Sequence, residues 1–400
     1  MPGRRSWLPN ERTILSTCEW RIPLSDLDYG AEEEEAALRV VRSKWLSAGP
    51  EVEAFEREFA ALIGVRHAIA VANGTAALHL SYLAVGVGPG DEVIQPAINF
   101  VAAANMTVAV GATPVFAEIL GLGEPTIAPA EVERSITPRT KAVVVMHYGG
   151  YPCRMVEIER ICRERGVSLI EDACHGVGAR YLDEDKGRLD GKMLGSLGDI
   201  GCFSFFSNKN LATGEGGMVV TDQDDVAHRV RLLRSHGMTT LTWDRHQGHA
   251  SSYGVAANGY NYRLDDLHAA LGRVQLRKLA KNNERRRGLV EEYWRHLALF
   301  PRWVLPFVGK SAAGSGHLMA VVAPGIEKRA QAAHALKEAR IQTSLHYPCV
   351  ADFEAFHRFG SGRLKHSRTF ADRAITLPLF PTLRAEQVEE VCRLIREACA

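Results

Sequence analysis

Short apolar runs alternate with helical patterns through much of this chain, and that alternation admits few folds. Glu92-Val93-Ile94, Ala142-Val143-Val144-Val145-Met146 and Val167-Ser168-Leu169-Ile170 read as strands, while Met155-Val156-Glu157-Ile158-Glu159-Arg160-Ile161 has helical spacing. Strands that alternate with helices predict an α/β fold with a mainly parallel sheet covered on both faces. From about Leu264 a long helical pattern runs through Leu267, Ala270, Leu271, Val274, Leu276 and Leu279 and carries the chain away from that sheet. The strand-like Leu318-Met319-Ala320-Val321-Val322 and a final helix from Glu386 to Ala398 then predict a smaller C-terminal α+β domain. The expected division is a large domain over 21–275 and a small one over 276–400, and 400 residues suffice for both.

Asn208-Lys209-Asn210 places a lysine between the apolar Cys202-Phe203-Ser204-Phe205-Phe206 and a flexible glycine-rich tail, Gly214-Glu215-Gly216-Gly217. Taken alone, such a lysine also fits a solvated strand end. If buried, it is biased toward the free amine, which attacks aldehydes to form a Schiff base. Upstream, Val167-Ser168-Leu169-Ile170-Glu171-Asp172-Ala173-Cys174-His175 reads as a strand that ends in an acid. Ligands of parallel α/β sheets sit outside the carboxyl ends of the strands, where Asp172 would lie. A carboxylate there can pair with a protonated pyridine nitrogen, although Asp172 alone equally fits a helix N-cap.

A third segment, Ala72-Asn73-Gly74-Thr75-Ala76-Ala77-Leu78, follows the apolar Ala68-Ile69-Ala70-Val71 and opens a helix. Free N–H groups and the positive end of the dipole make such a start an anion site, with Gly74 permitting close approach and Thr75 adding a hydroxyl. Together the three segments supply a phosphate cup, a pyridinium partner and an aldehyde trap. That set suits pyridoxal phosphate.

From about Arg21 to Leu394 the chain resembles the DegT/DnrJ/EryC1/StrS family of pyridoxal-phosphate sugar aminotransferases, of aminotransferase fold type I. The resemblance rests on Arg21-Ile22-Pro23-Leu24-Ser25, Trp45-Leu46-Ser47-Ala48-Gly49-Pro50, Gly86-Val87-Gly88-Pro89-Gly90-Asp91-Glu92-Val93-Ile94, Ile136-Thr137-Pro138-Arg139-Thr140-Lys141-Ala142, Glu171-Asp172-Ala173-Cys174-His175 and Ser204-Phe205-Phe206-Ser207-Asn208-Lys209-Asn210-Leu211. It implies that Lys209 forms the Schiff base with the cofactor (pyridoxal or pyridoxamine phosphate) and that Asp172 faces the pyridine nitrogen. It implies that Gly74, Thr75 and Ser204 hold the phosphate, that His175 lies near the ring's phenolic oxygen, and that Phe100 covers the pyridine face unless it is simple core. Asn261 matches an asparagine that reaches the phosphate of the other subunit, which implies a homodimer with shared sites.

The resemblance further implies L-glutamate or L-glutamine as amino donor and a keto sugar nucleotide as acceptor, with a 4-keto-6-deoxyhexose favoured. A C3 ketone or a ketocyclitol without a nucleotide are the alternatives. Between Lys209 and Asn261, the loop from Ser235 to His249 offers Arg245 for a phosphate contact and Trp243 for ring stacking. His346-Tyr347-Pro348 and His317-Leu318 fall where the family places residues near the mouth of the site, so His346 and Tyr347 are candidate substrate contacts. Related pyridoxamine-dependent dehydratases carry His in place of the lysine, and position 209 is Lys. A non-catalytic sensor that keeps the pocket for regulation is the reading from a different class; retention of both Lys209 and Asp172 argues against it.

With 48 Lys and Arg against 47 Asp and Glu, the chain has no general electrostatic drive toward nucleic acid or anionic membrane. Charge runs at Glu32 to Glu35 and Arg285 to Arg287 read as solvated helix faces. The eight cysteines never form Cys-x-x-Cys and show no zinc spacing, which argues against a metal or disulfide role, and Cys174 and Cys202 read as small packing residues. No stretch has the apolar length of a signal peptide core or a membrane span, so a cytoplasmic enzyme is expected.

Overall fold

The computed structural model describes residues 20–183, 185–240, 252–298, 300, 302–360 and 362–399. Its strands are β1 (His67–Val71), β2 (Glu92–Pro96), β3 (Thr113–Ala117), β4 (Ile119–Gly121), β5 (Glu124–Ile127), β6 (Thr140–Met146), β7 (Ser168–Asp172), β8 (Ile200–Ser204), β9 (Gly217–Thr221), β10 (Met319–Val322) and β11 (Ala374–Leu377). The helices are α1 (Ala31–Ser43), α2 (Pro50–Ile63), α3 (Gly74–Ala84), α4 (Ala102–Ala109), α5 (Pro129–Ser135), α6 (Met155–Arg165), α7 (Asp224–Arg234), α8 (Asp266–Leu297), α9 (Ile326–Glu338), α10 (Lys365–Arg373) and α11 (Ala385–Cys399).

Seven strands form one sheet in the order β1-β9-β8-β7-β6-β2-β3. The pairs β8/β7, β7/β6, β6/β2 and β2/β3 are parallel, and only β9 runs against its two neighbours. The fold is thus the mainly parallel α/β layer that the alternating pattern predicts. Its central strands are buried on both faces: Val143, Val144 and Val145 on β6 are all fully enclosed, which explains why β6 reads as a continuous apolar run. On one face Val144 and Ile170 pack with Leu80 and Tyr82 of α3. On another, Phe203 and Phe205 pack with Phe55 and Phe59 of α2, at ring separations of 5.0 to 5.5 Å between the two pairs. Such contacts bury apolar area at roughly 25 cal/mol per Å².

Helix α8 begins at Asp265, whose side chain accepts the His268 N–H, and continues for 32 residues, about 48 Å at 1.5 Å per residue. Its first half packs against α1 and α2 and its far end against α11. There a second core gathers Tyr293 and Leu297 with Val321, Ile375, Val388 and Ile395, around the antiparallel pair β10/β11. Among the described residues, no helix is long and apolar enough to cross a membrane.

Two expectations about charge are corrected. Glu33 is buried, not solvated: it accepts from Gly30 N–H, Gln275 Nε2 and Lys278 Nζ at 2.8 to 2.9 Å, closing the first turn of α1 onto α8. Arg286 is buried too, donating to the Leu379 carbonyl at 2.9 Å, and burial pushes its guanidinium down to about 10. In both runs one residue turns inward because the helix packs on that side. The tail after Lys209 also differs from expectation. Gly217 opens β9, and a Cβ there would lie 2.5 Å from the Asn73 carbonyl, so glycine serves close packing of β9 against the start of α3.

Candidate active site

The carboxyl ends of β7 and β8, the start of α3 and the segment after β2 converge on a cavity of about 390 Å³, within the range of small-molecule sites. Among its walls are Gly74, Thr75, Phe100, Asp172, His175, Ser204, Lys209, His346 and Tyr347. All nine are candidates read from the sequence, gathered from segments up to 273 positions apart. Asn261 is exposed and does not line this cavity of its own chain. Trp243 and Arg245 lie outside the described residues.

At the α3 end, Asn73 caps the helix by accepting the Ala76 N–H at 2.8 Å, and its carbonyl accepts from Ala77 N–H. The amides of Gly74 and Thr75 remain for an anion. A Cβ at position 74 would stand 2.9 Å from Ser204 Cβ and 3.1 Å from Cys174 Sγ, so only glycine leaves the cradle open. Cys174 belongs to this wall instead of being plain packing.

Asp172 ends β7 and is nearly buried, with Oδ1 accepting the Cys174 N–H at 3.2 Å. The residues directly after it form turns and not a helix, which removes the N-cap alternative. Its neighbour Glu171 points to the opposite face, as strand geometry requires. There its carboxylate accepts from the backbone N–H of Gly195, Leu197 and Gly198 at 2.6 to 2.8 Å and pairs with His147 Nε2 at 2.8 Å. His147 Nδ1 accepts from Cys153 N–H, so its proton sits on Nε2 and the pair is an imidazole donating to a carboxylate. This fully buried knot anchors β7 and holds Asp172 against the cavity.

Burial pushes the Lys209 ammonium below its usual range, opposed by Cys174 and Asp172. Cys174 is itself held as a neutral thiol by burial and by Asp172, so near neutrality Asp172 is the opposing charge that matters. The lysine is therefore no solvated strand end.

His175 has both ring nitrogens committed. Nδ1 accepts the Gly149 N–H at 3.3 Å, which places the proton on Nε2, 2.9 Å from the Tyr347 hydroxyl. Burial, then the charge of Lys209, holds His175 well below the usual histidine range. Tyr347 thus accepts from His175 and keeps its own O–H to give. The ring of Tyr347 stands 5.9 Å from that of Phe100, which is 54 % exposed and so is not core. The ring of His317 lies tilted against that of His175, centroids 4.3 Å apart, and its Nδ1 bonds Asn210 Oδ1 at 2.9 Å.

These groups fit pyridoxal phosphate. An anion cradle, a carboxylate and a lysine biased toward its amine share one chamber of sufficient size. Residues 28–396 match the DegT/DnrJ/EryC1/StrS aminotransferase family.

The chain belongs to that family.

It is 38 % identical over 388 residues to the spore coat polysaccharide biosynthesis protein SpsC of Bacillus subtilis, covering 94 % of this chain and 96 % of SpsC. The structure of DesI in the presence of its TDP-sugar product superposes with a TM-score of 0.81 at 31 % identity, covering 92 % of this chain and 90 % of DesI. The PLP form of Spr1654 from Streptococcus pneumoniae gives 0.86 at 25 %, covering 94 % and 98 %. The protein is a sugar aminotransferase, and its cofactor is pyridoxal phosphate.

Asn99, Asn208, Glu215 and Met146 also line the cavity, and the sequence reading gave them no role. An asparagine immediately before the candidate ring-covering Phe100 was the available signal for the first.

Proposed function

We propose that this aminotransferase moves an amino group from L-glutamate or L-glutamine to a keto sugar carried on a nucleotide, with a 4-keto-6-deoxyhexose as the favoured acceptor. The observation that carries the reading is the convergence of Lys209, Asp172 and the Gly74–Thr75 cradle on one chamber. The likeness to DesI, whose structure was determined in the presence of its TDP-sugar product, supports a nucleotide-linked acceptor.

Pyridoxal phosphate supplies the aldehyde that carries nitrogen between substrates and the ring that accepts electron density. Gly74, Thr75 and Ser204 would hold its phosphate, Phe100 would cover one ring face, and Asp172 would keep a proton on the pyridine nitrogen. His175 orients Tyr347 beside the ring. Lys209 Nζ would hold the cofactor's aldehyde in the resting enzyme and, as a free amine, would carry the proton of the donor's α-carbon; for the acceptor it would carry a proton in the reverse sense. His346 and Tyr347 form the substrate wall, with Trp243 and Arg245, which precede Asn261 in the sequence, as further contacts. Asn261, exposed on its own chain, serves the phosphate of a second copy, so the working unit is a homodimer, in the cytoplasm.

The test is a single-turnover spectrum. The enzyme is converted with L-glutamate to its amino form, freed of donor, and offered either a nucleotide-linked 4-keto-6-deoxyhexose or a ketoinositol. Recovery of the starting spectrum with the nucleotide sugar alone is expected. Recovery with ketoinositol alone assigns a cyclitol acceptor and makes Arg245 dispensable. If neither L-glutamate nor L-glutamine changes the spectrum, the proposed half-reaction is overturned and a cofactor-binding sensor is left.

A further inference from the structure

Asn99 is 3 % exposed and lines the cavity, yet its amide nitrogen has no hydrogen-bond partner among the described residues. The other end of the same side chain is fixed. Oδ1 accepts the Phe100 N–H at 2.7 Å, and a flipped amide would set its NH₂ against that N–H. Nδ2 must therefore be the free end, with donors only. A buried donor without an acceptor is costly, and natural interiors retain few of them. Since this residue lines the cavity, the missing acceptor is best supplied by what binds there.

The strand order says which end of the ligand Asn99 meets. The phosphate cradle is built by the start of α3, which follows β1, and by Ser204 at the end of β8. Asp172 ends β7. Asn99 follows β2, two strands beyond β7 on the side away from the cradle, roughly 10 Å further at about 4.8 Å per strand.

We infer that Asn99 Nδ2 donates a hydrogen bond to an oxygen of the bound ligand at the end of the cavity remote from the phosphate cradle, which makes Asn99 a ligand-binding residue of this site. This rests on the reading of the cavity as the cofactor and substrate site. The oxygen belongs either to the cofactor ring or to a substrate, and both present the same acceptor chemistry.

The test compares wild type with Asn99→Ala and Asn99→Asp. Three quantities are read: the affinity of the apoenzyme for pyridoxal phosphate, by quenching of protein fluorescence; the KM of each substrate; and the thermal midpoint of the apoenzyme. Asp keeps the acceptor for Phe100 N–H but places a carboxylate oxygen where the donor stood. Loss of one hydrogen bond predicts about a tenfold weakening in Asn99→Ala, and Asn99→Asp should be at least as impaired, by more than any drop in its thermal midpoint accounts for. A weakened cofactor affinity assigns the oxygen to the ring, and a raised KM with unchanged cofactor affinity assigns it to that substrate. If Asn99→Asp behaves as wild type while Asn99→Ala is impaired, the residue merely holds its own turn through Oδ1 and the inference fails. It fails also if both variants match wild type. Wild-type apoenzyme that does not bind pyridoxal phosphate overturns the underlying site reading and this inference with it.

Discussion

His175 Nε2 lies 2.9 Å from the hydroxyl of Tyr347, and because Nδ1 already accepts the Gly149 N–H, the histidine is the donor in that pair. The hydroxyl is left with one hydrogen to direct into the cavity. Tyr347→Phe should leave the fold intact and remove that donor, with a loss of about tenfold in kcat/KM for a neutral hydrogen bond. His175→Ala should do more, since it also strands the buried Gly149 N–H and costs about 1–3 kcal/mol of stability. Steady-state kinetics and denaturant unfolding of both variants check this; a more active Tyr347→Phe would refute the arrangement.

Lys209→Ala should abolish both half-reactions while the protein still folds, because burying the ammonium carries a desolvation penalty that the variant no longer bears. Stopped-flow absorbance with donor alone measures it. Residual turnover near the wild-type rate would remove Lys209 from the chemistry.

Asp172→Asn should retain Cys174 N–H as a partner and hence the local turn, yet lose on the order of 10²-fold in rate, as the removal of one preorganised electrostatic group does elsewhere. Comparison of kcat with the thermal midpoint separates the two effects. A variant slowed only in proportion to lost stability would speak against a role at the ring nitrogen.

Gly74→Val should weaken cofactor binding before it harms the fold. The added Cβ meets Ser204 Cβ at 2.9 Å and Cys174 Sγ at 3.1 Å, so the cradle must open to admit it. Overpacking of this kind costs about 1–3 kcal/mol. Titration of the apoenzyme with pyridoxal phosphate should show reduced affinity, and an unchanged affinity would place the phosphate elsewhere.

Acid should destabilise the protein below pH 6.5. Burial, then the charge of Lys209, lowers His346 from 6.5 to about 4, and His175 and His317 are lowered in the same sense. With folded values below unfolded ones, the unfolded chain takes up protons first. The neutral rings contribute fully above pH 6.5, and that contribution is lost as pH falls toward about 4. Unfolding free energy should fall as pH is lowered across this window, and fall less steeply in His346→Gln. An unchanged slope would show that His346 does not titrate as its burial implies.

What the sequence determined by itself was local. Strand and helix periodicity predicts the parallel layer because burial on both faces leaves a continuous apolar run, as in Val143 to Val145. The motifs around Gly74, Asp172 and Lys209 were readable because each carries its chemistry within a few consecutive residues at a strand end. Tertiary structure alone decided the rest. Tyr347 reaches His175 across 172 positions by the packing of the C-terminal part against the large sheet, and Lys278 reaches Glu33 across 245 by the packing of α8 on α1. Whether a charge in a helical run is solvated, as expected for Glu33 and Arg286, depends on which side of the helix another element covers. Asn99 shows the same division: its neighbour Phe100 marks it in sequence, but only the folded backbone turns one end of its amide to Phe100 N–H and leaves the other without a partner.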